Sequence, residues 1–234
     1  MSGSPQPIRI AVFVSGRGSN LGAILRAEES WAGLARVELV VSNREDAPAL
    51  DLARAVGRDS LVLPARGAQA DSALLKALEE QGIHLMVLAG YLRLIPTSVV
   101  ERFRGRILNV HPSLLPAFGG EGMYGSRVHE AVLESGCTVS GATVHFVDEV
   151  YDSGRVLAQW PVPVLPGDTP ETLAERIQAV EHVLLPAAVY HVAEALAESR
   201  APDRFRPPGP VFTLGEDAPD YQIKGQVARA FGER

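Results

Sequence analysis

Cysteine is almost missing from this chain: Cys137 is the only one in 234 residues. No intrachain disulfide can form and no cysteine-rich metal site is available. Such usage fits a reducing cytosol, so a cytoplasmic location is expected. Long apolar runs are also absent. None reaches the ~18 residues of a membrane span, so no membrane partner is expected. Residues 1–7 are polar and rich in Pro, Gly and Ser, without the charged and then apolar pattern of a signal peptide. There is no excess of positive charge: 22 Lys and Arg stand against 28 Asp and Glu, a net −6. That balance, with no Lys/Arg run, speaks against a nucleic-acid partner. An anionic ligand must then be held by local donors, not by a global field. Metal-ligand spacing is missing too. His129-Glu130 opens a zincin-like pattern, but Leu133 stands where the second histidine belongs. No metal is expected. The Gly-x-Ser-x-Gly frame of a serine hydrolase does not occur either.

What is present is apolar and alternating. Hydrophobic residues make up 46% of the chain, enough for one large α/β domain or two small ones. Strand-like runs at 8–14, 37–41, 60–63, 84–88 and 106–110 alternate with helix-like segments at 21–29, 47–56, 71–80 and 96–103. This order predicts a parallel sheet with helices on both faces. The second half changes. After a helix at 128–134 come two extended runs, 140–147 and 155–164, around a polar loop, and they read as antiparallel strands. A long helix from 169 to about 196 opens with a capping residue, an N1 proline and an early acid at Thr169-Pro170-Glu171. Pro186 is expected to kink or break it. From residue 200 the chain is rich in Pro, Gly and charge, and reads as a tail.

Ser15-Gly16-Arg17-Gly18-Ser19-Asn20 lies between the first strand and the first helix. Glycines let the backbone turn sharply and approach a ligand, and a helix start favours an anion. Leu21 replaces the third glycine of a dinucleotide fingerprint, and no Gly-Lys-Ser/Thr follows. A phosphate monoester is therefore a better ligand than NAD or ATP. A plain βα turn capped by Ser19 explains the loop equally well.

Asn109-Val110-His111-Pro112-Ser113-Leu114-Leu115-Pro116 ends the fifth strand. Strand side chains alternate, so Asn109 and His111 face the same way. An amide can donate to a developing oxyanion, and an imidazole can move a proton. A satisfied structural histidine and a turn-bonding asparagine would look the same in isolation. The polar loop supplies Asp152 as a carboxylate partner, with Asp148 and Glu149 also available.

These residues, together with Val41-Ser42-Asn43, Leu88-Ala89-Gly90-Tyr91-Leu92-Arg93, Thr143-Val144-His145-Phe146-Val147, Asp152-Ser153-Gly154 and Glu181-His182, occur in an order that resembles the phosphoribosylglycinamide formyltransferase family from about Ile8 to Leu196. The resemblance implies a Rossmann-like, mostly parallel twisted sheet flanked by helices, with an antiparallel C-terminal portion. Its implied layout is a disordered segment at 1–7, a catalytic domain at 8–199 (a phosphate-binding half at 8–105, a folate and catalytic half at 106–199) and a tail at 200–234. It implies transfer of a formyl group from 10-formyltetrahydrofolate, as co-substrate, to the amine of phosphoribosylglycinamide in purine biosynthesis, by a monomer or homodimer.

The implied roles are specific. Asn109, His111 and Asp152 are the catalytic trio, with Asn109 and a protonated His111 stabilising the formyl oxyanion. Gly18, Ser19 and Asn20 hold the substrate phosphate, and Gln178 and Glu181 the ribose. Leu92, Arg93, Leu94 and Ile95, with Asn109 and the loop Asp148, Glu149, Val150, Tyr151 and Asp152, hold the folate. Arg66 stands beside Gly67, the position where the family carries a substrate-touching arginine. Residues 117–125 are longer and richer in glycine than in many members, and Arg155 replaces a common proline. Methionyl-tRNA formyltransferase would need a further C-terminal domain, formyltetrahydrofolate hydrolase an N-terminal one. A non-catalytic phosphate-binding module would leave Asn109, His111 and Asp152 without a task.

Overall fold

The computed structural model describes residues 6–205, so residues 1–5 and most of the expected tail, 206–234, lie outside the described residues. In chain order the elements are β1 (Ile8–Val14), α1 (Ser19–Glu28), β2 (Ala35–Ser42), α2 (Ala49–Ala55), β3 (Asp59–Val62), α3 (Ala68–Glu80), β4 (Leu85–Leu88), α4 (Thr97–Arg102), β5 (Ile107–His111), α5 (Ser126–Glu134), β6 (Val139–Phe146), β7 (Val156–Pro163) and α6 (Pro170–Ala197). They build one seven-stranded sheet in the order β3-β2-β1-β4-β5-β6-β7. The first five strands pair in parallel; β6 runs antiparallel to β5, and β7 to β6. The sheet is therefore Rossmann-like and mostly parallel, with an antiparallel C-terminal portion. It runs unbroken across position 105, because Met86 of β4 pairs with Ile107 of β5.

Alternation within each strand divides the core in two. In β1, Ile10, Val12 and Val14 join a cluster with Leu21 and Ile24 of α1, Ala53 of α2, Val132 of α5 and Leu184 of α6. Ala11 and Phe13 face the other way, against Leu74 and Leu78 of α3 and Val99 and Val100 of α4. Both faces are covered, which is why the inner strands read as continuous apolar runs. Several helices begin earlier than the apolar periodicity suggests: α1 at Ser19, α3 at Ala68 and α5 at Ser126. Their first turns are polar or small, and periodicity detects only residues that face the core.

Pro186 neither ends nor interrupts α6, which is helical from Pro170 to Ala197. A proline inside a helix costs about 3 kcal/mol. Around it Leu184, Leu185, Ala188 and Val189 are fully buried. Each large aliphatic side chain so buried contributes roughly 1.5–3 kcal/mol, so packing outweighs the lost hydrogen bond.

The start of α6 is pinned by a polar knot. Thr169 and Thr172 form a reciprocal capping box. Asp168 receives two guanidinium hydrogen bonds from Arg176, each 2.7 Å, and accepts from the Leu165 N–H and the Thr172 hydroxyl. The bonds from Arg176 hold the Asp168 carboxyl well below the usual carboxylate range, against the opposing effect of burial. Asp168→Ala is expected to lower stability at pH 7 by about 2 kcal/mol. A depressed folded pKa stabilises fully above the unfolded value, near 3.9, and less as pH falls toward the folded value. The stability gap between parent and variant in urea unfolding should therefore be constant above about pH 5 and shrink below about pH 4. A gap unchanged between pH 7 and pH 3 would contradict this account.

Candidate active site

The chain order runs outward from β1 to β3, then crosses back to place β4 beside β1. In such sheets ligands bind in the crevice beyond the strand C-termini where the order reverses. A cavity of about 290 Å³ opens there. Its walls come from the segment after β4, the end of β5, the glycine-rich segment after it and the β6–β7 loop; Asn20 and Glu181 close one end.

Asn109, His111 and Asp152 meet on its floor. The Asn109 amide nitrogen lies 3.0 Å from His145 Nε2 and 3.5 Å from Asp152 Oδ1. His111 Nδ1 lies 3.4 Å from Asp152 Oδ2. Its Nε2 lies 2.8 Å from the Phe118 carbonyl, to which only an N–H can bond. His111 is 3% exposed. Burial holds its imidazole below the usual histidine range; Asp152 and the Phe118 carbonyl pull the other way, and His145 adds to the lowering. Burial thus favours the neutral ring at rest. Its Nδ1 lone pair faces a carboxylate, an arrangement relieved when a proton arrives.

Burial raises the Asp152 carboxyl. The neighbouring imidazoles of His145 and His111 and the Gly120 N–H (3.0 Å) outweigh it, so the group lies below the ordinary carboxylate range and is ionised. Asp152 itself adopts a positive φ of 52°. This left-handed turn is tolerated by aspartate better than by most residues.

His145 is the residue that sequence reasoning passed over as a site member. It pairs with Asn109 across the β5–β6 ladder, as Thr143 pairs with His111. Its Nδ1 donates to the Phe146 carbonyl at 2.9 Å, leaving Nε2 to accept from Asn109. The imidazole therefore fixes which way the Asn109 amide points. The signal was the alternation Thr143-Val144-His145, readable only once the ladder partner is known. Tyr91, Met123 and Tyr124 also line the cavity without having been singled out as site residues.

Leu92, Arg93, Leu94 and Ile95 line the cavity, as do Asp148, Val150 and Tyr151. The Arg93 guanidinium turns away to the carbonyls of Leu63 (3.0 Å) and Pro64 (2.8 Å), so this segment meets the cavity by its backbone and apolar side chains. Leu92 N–H donates to Ser15 Oγ, tying the segment to the glycine loop. Glu149 is turned outward onto Arg104, and Arg66 is exposed; neither lines the cavity.

At the far end Asn20 donates to Glu181 at 2.8 Å and Gln178 donates to Ser19 Oγ at 3.1 Å. Burial pushes the Glu181 carboxyl up. Ser19 does not cap α1. The N-cap is Gly18, left-handed at φ 78°, and no side chain caps the first turn. A Cβ on Gly18 would also meet Ala49 Cβ at 2.6 Å, so only glycine fits here. The first amides of α1 are left open to an anion.

Among the described residues no group of three or more His, Cys, Asp and Glu stands together as a metal site, and no helix is long and apolar enough to cross a membrane.

The family model described as formyl transferase matches residues 8–189, which places the chain among the formyl transferases. It is 43% identical over 224 residues to the chloroplastic phosphoribosylglycinamide formyltransferase of Arabidopsis thaliana, covering 94% of this chain and 75% of that one. It is 40% identical over 194 residues to the trifunctional purine biosynthetic protein adenosine-3 of Homo sapiens, covering 81% of this chain but 19% of that protein. Among solved structures, glycinamide ribonucleotide transformylase 1 from Symbiobacterium toebii matches with a TM-score of 0.76 and 41% identity, covering 83% of this chain and 92% of that one. The chain belongs to the phosphoribosylglycinamide formyltransferase family. A formyltetrahydrofolate deformylase from Pseudomonas syringae shares the fold at a TM-score of 0.73, with 21% identity.

Proposed function

We propose that the protein moves the formyl group of 10-formyltetrahydrofolate to the amine of phosphoribosylglycinamide, a step of purine biosynthesis. The observation that carries this reading is the meeting of Asn109, His111 and Asp152, within 3.5 Å, between two unlike ends of one cavity. One end, Leu92 to Ile95 with Asp148, Val150 and Tyr151, offers backbone and apolar surface suited to a flat heteroaromatic ring. The other is closed by Asn20 and Glu181, with Gly18, Ser19 and Gln178 beside them, and offers open helix amides and polar side chains suited to a sugar phosphate.

The chemistry follows from the geometry. The free amine attacks the formyl carbon, a C–N bond forms, and charge gathers on the formyl oxygen. One Asn109 N–H is taken by His145; the other makes only a long contact to Asp152 and turns readily to that oxygen. The attacking nitrogen becomes cationic and must lose a proton. Neutral His111 accepts it, and the ionised Asp152 stabilises the imidazolium so formed. The proton passes on to the folate nitrogen as the old C–N bond breaks and tetrahydrofolate leaves. Alignment of two bound substrates supplies much of the remaining acceleration. Small-molecule substrates, no nucleic acid and a cytoplasmic setting belong to this same reading.

The test is release of tetrahydrofolate from 10-formyltetrahydrofolate with and without the amine. Turnover that requires the amine, with formylated product in equal amount, is the expected result. Formate release at the same rate without amine would make the protein a hydrolase.

A further inference from the structure

One lateral row of the sheet joins the active site to the edge strand. His111 of β5 pairs with Thr143 of β6, and Thr143 pairs with Gln159 of β7. Paired residues put their side chains on one face, so the three stand in line. Gln159 is half-buried and, like Thr143, does not line the cavity. Its amide nitrogen donates twice, to the Leu115 carbonyl at 2.8 Å and to the Thr143 hydroxyl oxygen at 3.1 Å. Thr143 also accepts from the Leu115 N–H at 3.0 Å and donates to the Ser113 carbonyl at 2.6 Å. Both polar backbone groups of Leu115 are thus held by side chains of β6 and β7.

The turn so held reaches both members of the His111–Asp152 pair. The Phe118 carbonyl accepts from His111 Nε2 at 2.8 Å, and the Gly120 N–H donates to Asp152 Oδ2 at 3.0 Å. Leu115 lies against Gly119, between them. A Cβ on Gly119 would stand 2.5 Å from Leu115 Cδ2 and 3.2 Å from Asp152 Cβ. Packing this close leaves no slack, so a shift of Leu115 is passed on to Phe118 and Gly120.

The place of the Phe118 carbonyl matters because a neutral imidazole has one N–H, and His111 stands between two acceptors. Asp152 Oδ2 is 3.4 Å from Nδ1, while the Phe118 carbonyl is 2.8 Å from Nε2. The nearer acceptor takes the N–H, and the lone pair is left at Nδ1. With Phe118 drawn back, the N–H moves to Nδ1 and the site loses its proton acceptor.

We propose that Gln159 is a positioning residue for formyl transfer: its hold on Leu115 fixes the turn whose Phe118 carbonyl keeps the His111 proton on Nε2. Its effect on rate rests on the reaction proposed above; its effect on the ring does not.

The experiment compares the parent with Gln159→Met, which keeps the length and loses both N–H donors, and with Gln159→Glu, which keeps the shape. Nitrogen NMR of ring-labelled histidine, at alkaline pH, reads the tautomer. The His111 signals are those missing from His111→Gln. The parent should show a protonated Nε2 and a bare Nδ1, and both variants a mixture of the two tautomers. In each variant kcat should fall about tenfold, the value of one lost hydrogen bond, with KM for either substrate within about twofold of the parent. A purely structural Gln159 would lower the thermal midpoint and leave the His111 signals and kcat unchanged. That result, a loss confined to KM, or a shifted tautomer with kcat intact would overturn the proposal. So would a parent whose proton lies on Nδ1, a measurement that needs no variant to fold. A parent that shows no amine-dependent turnover refutes the reaction instead, and the ring signals still judge the link from Gln159 to His111.

Discussion

Asp152→Asn is expected to lower kcat by about a thousandfold while the protein stays folded. The carboxylate meets four groups: His111 Nδ1, His145 Nε2, the Asn109 amide and the Gly120 N–H. Asparagine keeps the size but loses the charge. His111, already lowered by burial, loses the group that stabilises its protonated form. It then becomes a poorer acceptor for the proton of the attacking amine. The amide of the new side chain also sets one N–H against donors where an oxygen stood. The sign of the pH effect follows. Removing a negative neighbour lowers the His111 pKa further, so the acid limb of kcat should move to lower pH. Stopped-flow or steady-state kinetics over pH 5–9, with circular dichroism for the fold, would check both parts. A folded variant that keeps kcat within about tenfold of the parent would remove Asp152 from the mechanism.

Asn109→Ala is expected to cost about 10²–10³ in kcat, roughly 3 kcal/mol of barrier, with smaller changes in KM. The reason is that the oxyanion exists only in the transition state, so its donor matters little for ground-state binding. Asn109→Asp is the sharper variant. It sets a second carboxylate where Asp152 Oδ1 stands 3.5 Å away, so one of the two must take up a proton. It also faces the formyl oxygen with an acceptor. Its loss should match or exceed that of alanine. If alanine kept more than about a tenth of the parental kcat, the oxyanion would have to be held by another donor.

How far these assignments were legible before the fold differs from residue to residue. Asn109 and His111 share a face because strand side chains alternate, and that much follows from two positions in one strand. Asp152 lies 41 residues beyond His111, in a loop. Its approach to the imidazole depends on β6 and β7 folding back antiparallel beside β5. His145 was in plain sight within an apolar alternation, yet only the β5–β6 register sets it opposite Asn109. Glu149 and Asp152 looked alike as loop acids. The turn at Asp152 directs one inward, while Arg104 draws the other outward. The glycine loop raised the choice between a phosphate site and a capped turn. The left-handed Gly18 at the N-cap, with no side chain serving the first amides, favours the former.

The sequence by itself determined the local features: where apolar residues alternate, where α6 is capped, and that one strand carries an amide and an imidazole on the same side. These depend on neighbours a few residues apart, whose geometry the backbone fixes. Only the tertiary structure decided the rest: the coupling of His111 to Asp152, the orientation of Asn109 by His145, the burial that disfavours a charged His111, and the survival of α6 across Pro186. Each of these rests on burial or on contact between distant segments. Both arise from the packing of all seven strands and their helices, which no short stretch of chain contains.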